Sequence, residues 1–518
     1  MPPSRARHSC RACRRLKRKC SRDLPSCSIC DRLGKRCEYS DLETPPSSDS
    51  SPPNYAEPTH QTPNLVISNQ PFPLPFFLDQ NHFTPLNASN ALAPGPRYDL
   101  QQIVAEHLTP ADLPTLYQDY FSSVHEWLPM ISRKRLTYVD PFSQDACQDL
   151  TLLCMKICTI HPKNSSPSQE PSYILAKSLC SAAESAGLVS LRLVQALVLL
   201  AVYESSHAIY PASYLTIGRA ARLGMLMGWH DRDAQQLFKL GDSWSKREEQ
   251  RRTWWTIFVL DRFINIDTSG LPFAAPEPCP DELLPVNDED WVLGKTVPSE
   301  PLYTACFSSI TTLGSFARTC QAAHMLGKVI QHKETKTKSS HDILQVVQEG
   351  QSLHRALSSL QISIEEQWTS DTTSPDSSLA CALGICICAQ ALLYGSYGCP
   401  DAPGITSRER LAHETEMQSV SVQGLRALGG SIVPKLVQAR SDCPLLARCF
   451  YTASSACSWF IREDYEQQMR SALATIVVGL RRLSGRWAIA TEYIYLLEQG
   501  GILNLVDNDP EYEPIHCG

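Results

Sequence analysis

The sequence predicts a small metal-nucleated module, a proline-rich linker and a large all-α domain, in that order along 518 residues. Three observations carry this. Six cysteines between positions 10 and 37 recur at a repeated spacing, and residues 41–96 hold twelve prolines and no Lys or Arg. From about residue 100 onward, apolar residues recur at the three- and four-residue intervals of a helix face. The boundaries follow as 1–40, 41–97 and 98–518.

Charge divides the chain at the same place. Residues 1–40 contain twelve Lys or Arg against three acids, a net +9, while the remainder carries −16 within an overall −7. A short basic head on an acidic body points to a polyanion as the partner of the head. No apolar core follows the basic N-terminus, so no signal peptide is expected. The longest apolar stretch read from the sequence, Leu193 to Tyr203, is shorter than the roughly twenty residues that cross a bilayer, and no membrane partner is expected. In a reducing compartment, twenty-one cysteines serve as metal ligands and buried thiols rather than as a disulfide framework.

Cys10, Cys13, Cys20, Cys27, Cys30 and Cys37 fall as C-x2-C-x6-C-x6-C-x2-C-x6-C. A C-x2-C pair directs both sulfurs at one ion, and thiolates suit tetrahedral zinc. Six thiolates cannot give two zinc ions four separate ligands each. With two of them bridging, each ion sees four sulfurs, and the module keeps a charge of about +7. Forty residues with no Phe or Trp and one Ile cannot build an apolar core. Metal binding therefore supplies the folding free energy, on the order of 10 kcal/mol or more. A simple metal store would not need the basic residues interleaved with the cysteines.

Between the second and third cysteines run Arg14, Arg15, Leu16, Lys17, Arg18 and Lys19. A short metal-held helix presents such a run to a major groove. Lys and Arg donors there match guanine O6 and N7, while the other cations neutralise phosphates. The same run also reads as a nuclear import signal, and the two roles are compatible.

With these residues the cluster resembles the fungal binuclear zinc-cluster transcription factors over residues 10–40. The resemblance implies two Zn2+ ions bridged by Cys10 and Cys27. One ion would be held by Cys10, Cys13, Cys20 and Cys27, the other by Cys10, Cys27, Cys30 and Cys37. It further implies a two-helix DNA-binding module, a nuclear location and double-stranded DNA with CGG-type triplets as the target. Lys17 stands at the base-reading position, Arg18 is the expected second reader, and Arg14, Arg15 and Lys19 complete the DNA-contacting set. Pro25 sits in the connecting loop, where the family usually carries a proline. Leu16 departs from the basic residue that many relatives carry there.

The linker is too poor in apolar residues to offset chain entropy and is expected to be disordered. One piece stands out, Pro71–Phe83, where Phe72, Phe76, Phe77 and Phe83 gather near Asp79. It either recruits a partner or docks on the body.

In the body, Leu191–Tyr203 is apolar nearly all round, as a buried helix is. Leu215–Gly228 and Glu248–Ile266 are amphipathic, and Pro162, Pro211 and the stretch Gly270–Pro285 act as breakers. A second block follows, with helices expected over Leu302–Gln331, His341–Trp368, Ser378–Tyr397, Arg408–Ala439, Pro444–Ile461 and Tyr465–Leu497. Trp254 and Phe258 share a helix face with Asp261 one turn further, the signature of core packing plus a helix-end ion pair. Cys147, Cys154 and Cys158 form a helical stripe of buried thiols rather than a redox sensor.

This body resembles the regulatory domain common to the same family, from about residue 110 to at least 290. Tyr120-Phe121, Val124-His125 and Pro129 resemble its opening, and Ala220–Gly228 its central helix. Glu249, Arg251-Arg252, Trp254-Trp255, Asp261-Arg262, Gly270 and Pro272 resemble its most recognisable stretch, with Leu271 in place of a frequent arginine.

Catalytic motifs are missing from the sequence. No H-E-x-x-H, G-x-S-x-G or G-x-G-x-x-G occurs, and Gly294-Lys295-Thr296 lacks the first glycine of a phosphate loop because Glu289 stands there. The expectation is a non-enzymatic, zinc-dependent, sequence-specific DNA-binding transcription regulator. It would activate a pathway-specific gene set by engaging the transcription machinery or coactivators. The aromatic linker piece and the acidic end (Asp507, Asp509, Glu511, Glu513) favour activation. The alternative is a zinc-module interaction protein that binds protein partners instead of DNA, and a small-molecule effector of the body stays open. Prolines across 41–96 exclude a heptad coiled coil after the cluster, and the only helical stretch before Pro110 is Tyr98–Leu108. The protein is therefore expected to bind as a monomer or to dimerise through the helical domain.

Overall fold

The computed structural model describes residues 9–10, 13, 19–32, 34, 37, 39, 72–86, 104 and 106–507, apart from 138–146, 161–165, 240–242, 269, 304–312, 339–342, 371–376, 399–407 and 465. The chain forms two units, Met1–Pro63 and Asn64–Gly518. In the first, the described helix is α1 (Ser28–Arg32). The second opens with α2 (Pro75–Leu78), α3 (Leu113–Phe121), α4 (Val124–Trp127), α5 (Arg133–Thr137), α6 (Gln148–Thr159) and α7 (Pro171–Ser185). It continues with α8 (Leu191–Ser206), α9 (Ala212–Leu226), α10 (Trp244–Ile264) and α11 (Asp288–Leu293). The rest comprises α12 (Ser315–Thr337), α13 (Ile343–Ser370), α14 (Ser377–Gly395), α15 (Arg408–Ala427), α16 (Val433–Gln438), α17 (Leu446–Asp464), α18 (Gln467–Ser484), α19 (Ala488–Gln499) and α20 (Asn504–Asp507). Among the described residues there is no β-strand; isolated bridges pair Leu86 with Phe238 and Leu283 with Pro301. The body is all-α, as expected.

Each half of the body is organised around one helix. The apolar run at 191–206 makes α8 buried along its whole length. The Ser190 hydroxyl starts it by accepting the Leu193 amide at 3.2 Å. Helices α6, α7, α9 and α10 pack around it. In the second half α14 takes the same place, enclosed by α12, α13, α15 and α17. Its stretch Ser378–Gly395 is longer and more apolar than Leu193–Tyr203, which corrects the expectation from the sequence. By length and composition it would cross a bilayer, but most of it is buried among these neighbours. Helix α10 packs against both α8 and α12, and one continuous apolar core runs through the two blocks.

Several boundaries differ from expectation for local reasons. The helix expected over 408–439 carries a π turn at Leu428–Ile432, where the Cys457 sulfur lies 2.8 Å from the point that a Cβ on Gly429 would occupy. The helix expected over 465–497 is two, α18 and α19, broken where Trp487 turns inward and donates its Nε1 to the Asp442 carbonyl at 2.7 Å. Helix α12 begins at Ser315 rather than Leu302, because Leu302 instead donates its amide to the Glu282 carbonyl at 2.7 Å. Gly294, with φ +73°, ends α11 in the left-handed conformation. The Gly294-Lys295-Thr296 tripeptide is thus a helix stop and not a phosphate loop. Of Tyr98–Leu108, the described part is a single turn in which the Leu108 amide donates to the Val104 carbonyl at 2.8 Å.

Within the linker, residues 72–86 carry structure, and they include most of the aromatic piece Pro71–Phe83 singled out in the sequence. Helix α2 and a following 3-10 turn at Gln80–His82 lead to Leu86, which pairs with the chain at 237–239.

Candidate metal centre and DNA-reading face

The metal module holds its sulfurs where the spacing predicts. The Cys10 and Cys27 sulfurs lie 3.7 Å apart, Cys10 and Cys30 3.6 Å, and Cys13 and Cys27 3.7 Å. Two groups of four emerge, Cys10/Cys13/Cys20/Cys27 and Cys10/Cys27/Cys30/Cys37, with all sulfurs of a group within 4.8 Å of one another. They share the Cys10–Cys27 edge. A tetrahedron built on zinc–sulfur bonds of about 2.3 Å has edges of about 3.8 Å, so the observed separations fit one zinc ion per group. The shared pair is fully buried, while Cys20 and Cys37 at the outer corners stay partly exposed.

The backbone repeats the twofold pattern of the sequence. The Cys13 amide donates to the Cys10 sulfur at 3.4 Å, and the Cys30 amide donates to the Cys27 sulfur at the same distance. Each C-x2-C thus turns an N–H toward the sulfur that the two groups share, which stabilises negative charge on it. A third amide, of Cys27, donates to Cys37 at 3.2 Å. The Asp31 amide bonds the Cys27 carbonyl at 3.0 Å and starts α1 directly from the cluster. Tyr39 closes the module by donating its hydroxyl to the Asp23 carbonyl at 2.9 Å, a contact that no spacing or motif foretells.

Thiol chemistry differs across the cluster. Desolvation pushes Cys13 up to about 12 and Cys30 higher still. Desolvation opposes ionisation at Cys20 and Cys37 as well. It is outweighed there by hydrogen bonds, first with the backbone of Cys10 and Arg22 at Cys20 and of Cys27 at Cys37, which bring both thiols down to about 7. Buried thiols gathered this closely ionise together only around a cation, the chemistry that bound zinc would supply.

Of the residues expected to contact DNA, Lys19 is described and exposed beside Cys20. Arg14, Arg15, Lys17 and Arg18 lie outside the described residues. Cys13, just before them, is helical.

In the helical unit, the motif residues of α10 form a buried charge network. Arg252 is fully buried and donates to Glu248 at 3.0 Å, to Asp288 at 2.6 Å and to the carbonyls of Pro129 and Val286. Its guanidinium stacks 4.1 Å above the Trp291 ring. Glu249, equally buried, accepts from Arg135, from Arg192 at 3.1 Å and from Gln195 at 3.2 Å. Arg262 lies between the rings of Phe258 and Phe273, pairs with Asp261 at 2.8 Å and reaches Glu277 at 3.0 Å. Trp254 and Phe258 are core residues, and Asp261 is the ion-pair partner expected of it. Glu248, Arg192, Asp288 and Glu277 belong to the network without standing in any motif. The one signal for them in the sequence is Glu248, four residues before Arg252.

Cys147, Cys154 and Cys158 are buried. Cys154 is pushed well above the ordinary thiol range by its hydrogen bond with Cys180 and by burial, and burial pushes Cys158 up to about 12. Such thiols are unreactive.

The chain is similar to known proteins over both the cluster and the helical unit. The pattern of the fungal Zn(2)-Cys(6) binuclear cluster domain matches residues 8–45, and that of the fungal specific transcription factor domain matches residues 118–372. Transcription factor BOA15 of Botryotinia fuckeliana is 40% identical over 144 residues, which cover 27% of this chain and 80% of that protein. Transcription factor tazR of Aspergillus terreus is 28% identical over 44% of this chain and 34% of its own length. The depudecin biosynthesis cluster-specific transcription activator DEP6 of Alternaria brassicicola is 28% identical over 33% of this chain and 31% of its own length. The chain thus spans about a third of the latter two proteins. With its two sulfur tetrads sharing an edge and its α10 charge network, the chain belongs to the fungal transcription factors that join a Zn(2)-Cys(6) cluster to a fungal-specific transcription factor domain.

Proposed function

We propose that this protein is a nuclear, zinc-dependent, sequence-specific DNA-binding regulator that activates a pathway-specific gene set. The observation that carries the reading is the pair of sulfur tetrads sharing the Cys10–Cys27 edge, with five cations packed into the seven residues from Cys13 to Lys19. Zinc would be held by Cys10, Cys13, Cys20, Cys27, Cys30 and Cys37. It folds the module and performs no reaction.

The two halves of the cluster have equal spacing, and α1 springs directly from Cys27 in the second half. With Cys10 in the place of Cys27, the equivalent helix of the first half would begin at Arg11 and take in Cys13, Arg14 and Arg15, with Lys17, Arg18 and Lys19 following it toward Cys20. From there Lys17 and Arg18 read guanines of a CGG-type triplet, while Arg14, Arg15 and Lys19 neutralise phosphates. The pathway-specific, activating role is supported by the description of the Alternaria relative as a cluster-specific activator. Binding is monomeric or through a dimer of the helical unit.

Selection of sites from random duplexes by the full chain, with zinc and with chelator, tests this. Zinc-dependent recovery of CGG-type triplets is expected, weakened by Lys17→Ala at the guanines and by Arg14→Ala on every sequence alike. Binding should fall steeply with salt, since each phosphate contact contributes about −0.9 to the slope of log K against log salt. Failure to enrich any sequence in zinc would refute DNA reading and leave a module that binds protein partners.

A further inference from the structure

The sulfur cluster is closed on one side and open on the other. Cys10, Cys13, Cys27 and Cys30 are buried, while Cys20 and Cys37 are partly exposed, one outer corner for each tetrad. A competing ligand that withdraws an ion meets a sulfur first where that sulfur meets solvent, so release from either tetrad begins at its outer corner. One side chain serves both corners. The Tyr39 ring packs against the cysteine cluster, and its hydroxyl interacts with the Cys37 and Cys20 sulfurs alike. The same hydroxyl donates to the Asp23 carbonyl at 2.9 Å. Asp23 follows Cys20 by three residues and Tyr39 follows Cys37 by two, so this bond pins the chain behind one outer cysteine to the chain behind the other. The Asp23 side of the pin is itself anchored, because the Ser21 hydroxyl oxygen accepts the Ser28 amide and the Ser28 hydroxyl, each at 2.9 Å. Swinging either outer sulfur away from its tetrad therefore pulls on the Tyr39–Asp23 bond.

We propose that Tyr39 is a positioning residue for both metal sites, a latch whose hydroxyl holds the two outer cysteines in place and slows the exchange of both ions together. The latch rests on the reading of the tetrads as zinc sites and adds what governs how long the ions stay. Groups that surround metal ligands fix their orientation, and losing one loosens the ion without removing a ligand. The hydroxyl rather than the ring carries the effect, since it alone donates to the Asp23 carbonyl and ties the two chain segments. A hydrogen bond of this kind changes an equilibrium or a rate about three- to tenfold. Both tetrads feel the change, because a support for one site alone would touch one outer cysteine and this hydroxyl touches two. Folding of the module depends on the metal, so the latch sets how long DNA binding outlasts a fall in free zinc.

The test follows zinc release from the zinc-loaded full chain into excess chromogenic chelator, for the parent, Tyr39→Phe and Tyr39→Leu. Phenylalanine keeps the ring and removes only the hydroxyl. Both equivalents should leave Tyr39→Phe about three- to tenfold faster than the parent, and Tyr39→Leu should be at least as fast. With zinc in excess, duplex binding by Tyr39→Phe should match the parent, and its cobalt-loaded form should keep the visible bands of tetrahedral thiolate sites. Release from Tyr39→Phe at the parent's rate, with Tyr39→Leu alone accelerated, would assign the effect to ring packing and overturn the latch. Acceleration of a single equivalent would overturn it too, as would weakened duplex binding or loss of the cobalt bands. A parent that holds zinc but binds no duplex would sink the DNA-binding reading by itself, while the release rates still decide the role of Tyr39. A parent that takes up no zinc would sink both.

Discussion

The shared edge of the two sulfur tetrads makes Cys10 and Cys27 unequal to the other four cysteines, and zinc binding should reveal it. Cys20 belongs to one tetrad, whereas Cys10 belongs to both. Structural zinc binds four ligands with roughly 10–16 kcal/mol, so each thiolate carries about 3 kcal/mol, on the order of a hundredfold in affinity. Cys20→Ser should therefore weaken one ion about a hundredfold and spare its neighbour. Cys10→Ser weakens both, about 10^4-fold in the product of the two constants. Titration of zinc-loaded protein with a chromogenic chelator separates the cases. The Cys20→Ser chain should release its equivalents in two well-separated steps, and the Cys10→Ser and Cys27→Ser chains should release both early and together. Two-step release from Cys10→Ser, matching Cys20→Ser, would refute the shared edge.

Four further outcomes follow from the described contacts. Arg252→Ala leaves Glu248 buried with its main cation gone and should cost about 3–5 kcal/mol in denaturant unfolding. Arg426→Ala, whose partners Asp464 and Glu466 are partly exposed, should cost under about 1 kcal/mol, and equal costs would contradict the network. Burial, helped by the Arg252 and Arg133 charges, holds His125 down to about 3 from an ordinary value of 6.5. Between those values the unfolded chain takes up a proton that the folded chain refuses, so stability falls as pH drops from 6.5 toward 3, by up to about 1.4 kcal/mol per pH unit. His125→Phe should flatten melting temperature against pH in that window, and parallel curves would count against it. A Cβ on Gly224 would meet the Trp254 ring at 2.9 Å, so Gly224→Ala should lower stability by about 1–3 kcal/mol, read from the denaturant midpoint. Chelation should abolish duplex binding yet leave the melting of the helical unit unchanged, because that unit has an apolar core of its own.

The cluster is legible in the sequence because its chemistry is local. Six cysteines within 28 residues leave few ways to share two ions, and the tetrads in the structure are those the resemblance implies. Helix α8 is equally plain, since a run that is apolar on every side has to be buried. Helix α14 is harder to rank for an instructive reason: Cys381, Cys386 and Cys388 read as thiols in a sequence but behave as small apolar side chains in a core. The break between α18 and α19 has no proline to mark it, and its sequence signal is the single Gly485 that follows the last residue of α18. What makes it is the inward turn of Trp487 toward Asp442, a residue 45 positions away.

The charge network lies beyond what periodicity can reach. Glu248, Glu249, Arg251 and Arg252 on a helix surface would look like a solvated face, and periodicity alone assigns them to solvent. Their burial is decided by groups distant in sequence: Arg192 and Gln195 from α8, Arg135 from α5, Asp288 at the start of α11, and the Pro129 and Val286 carbonyls. A buried arginine is tolerable only when its donors find acceptors, and Arg252 finds four of them on three segments: Glu248 of α10, the Pro129 carbonyl, and the Val286 carbonyl together with Asp288. The consequence is mechanical. A motif that fixes α10 against α5, α8 and α11 at once ties the first half of the body into one piece, and α10 in turn packs against α12 of the second half. Any signal reaching the helical unit has to move this network as a whole or leave it intact, which makes Arg252 a fixed point of the domain rather than a site for a ligand.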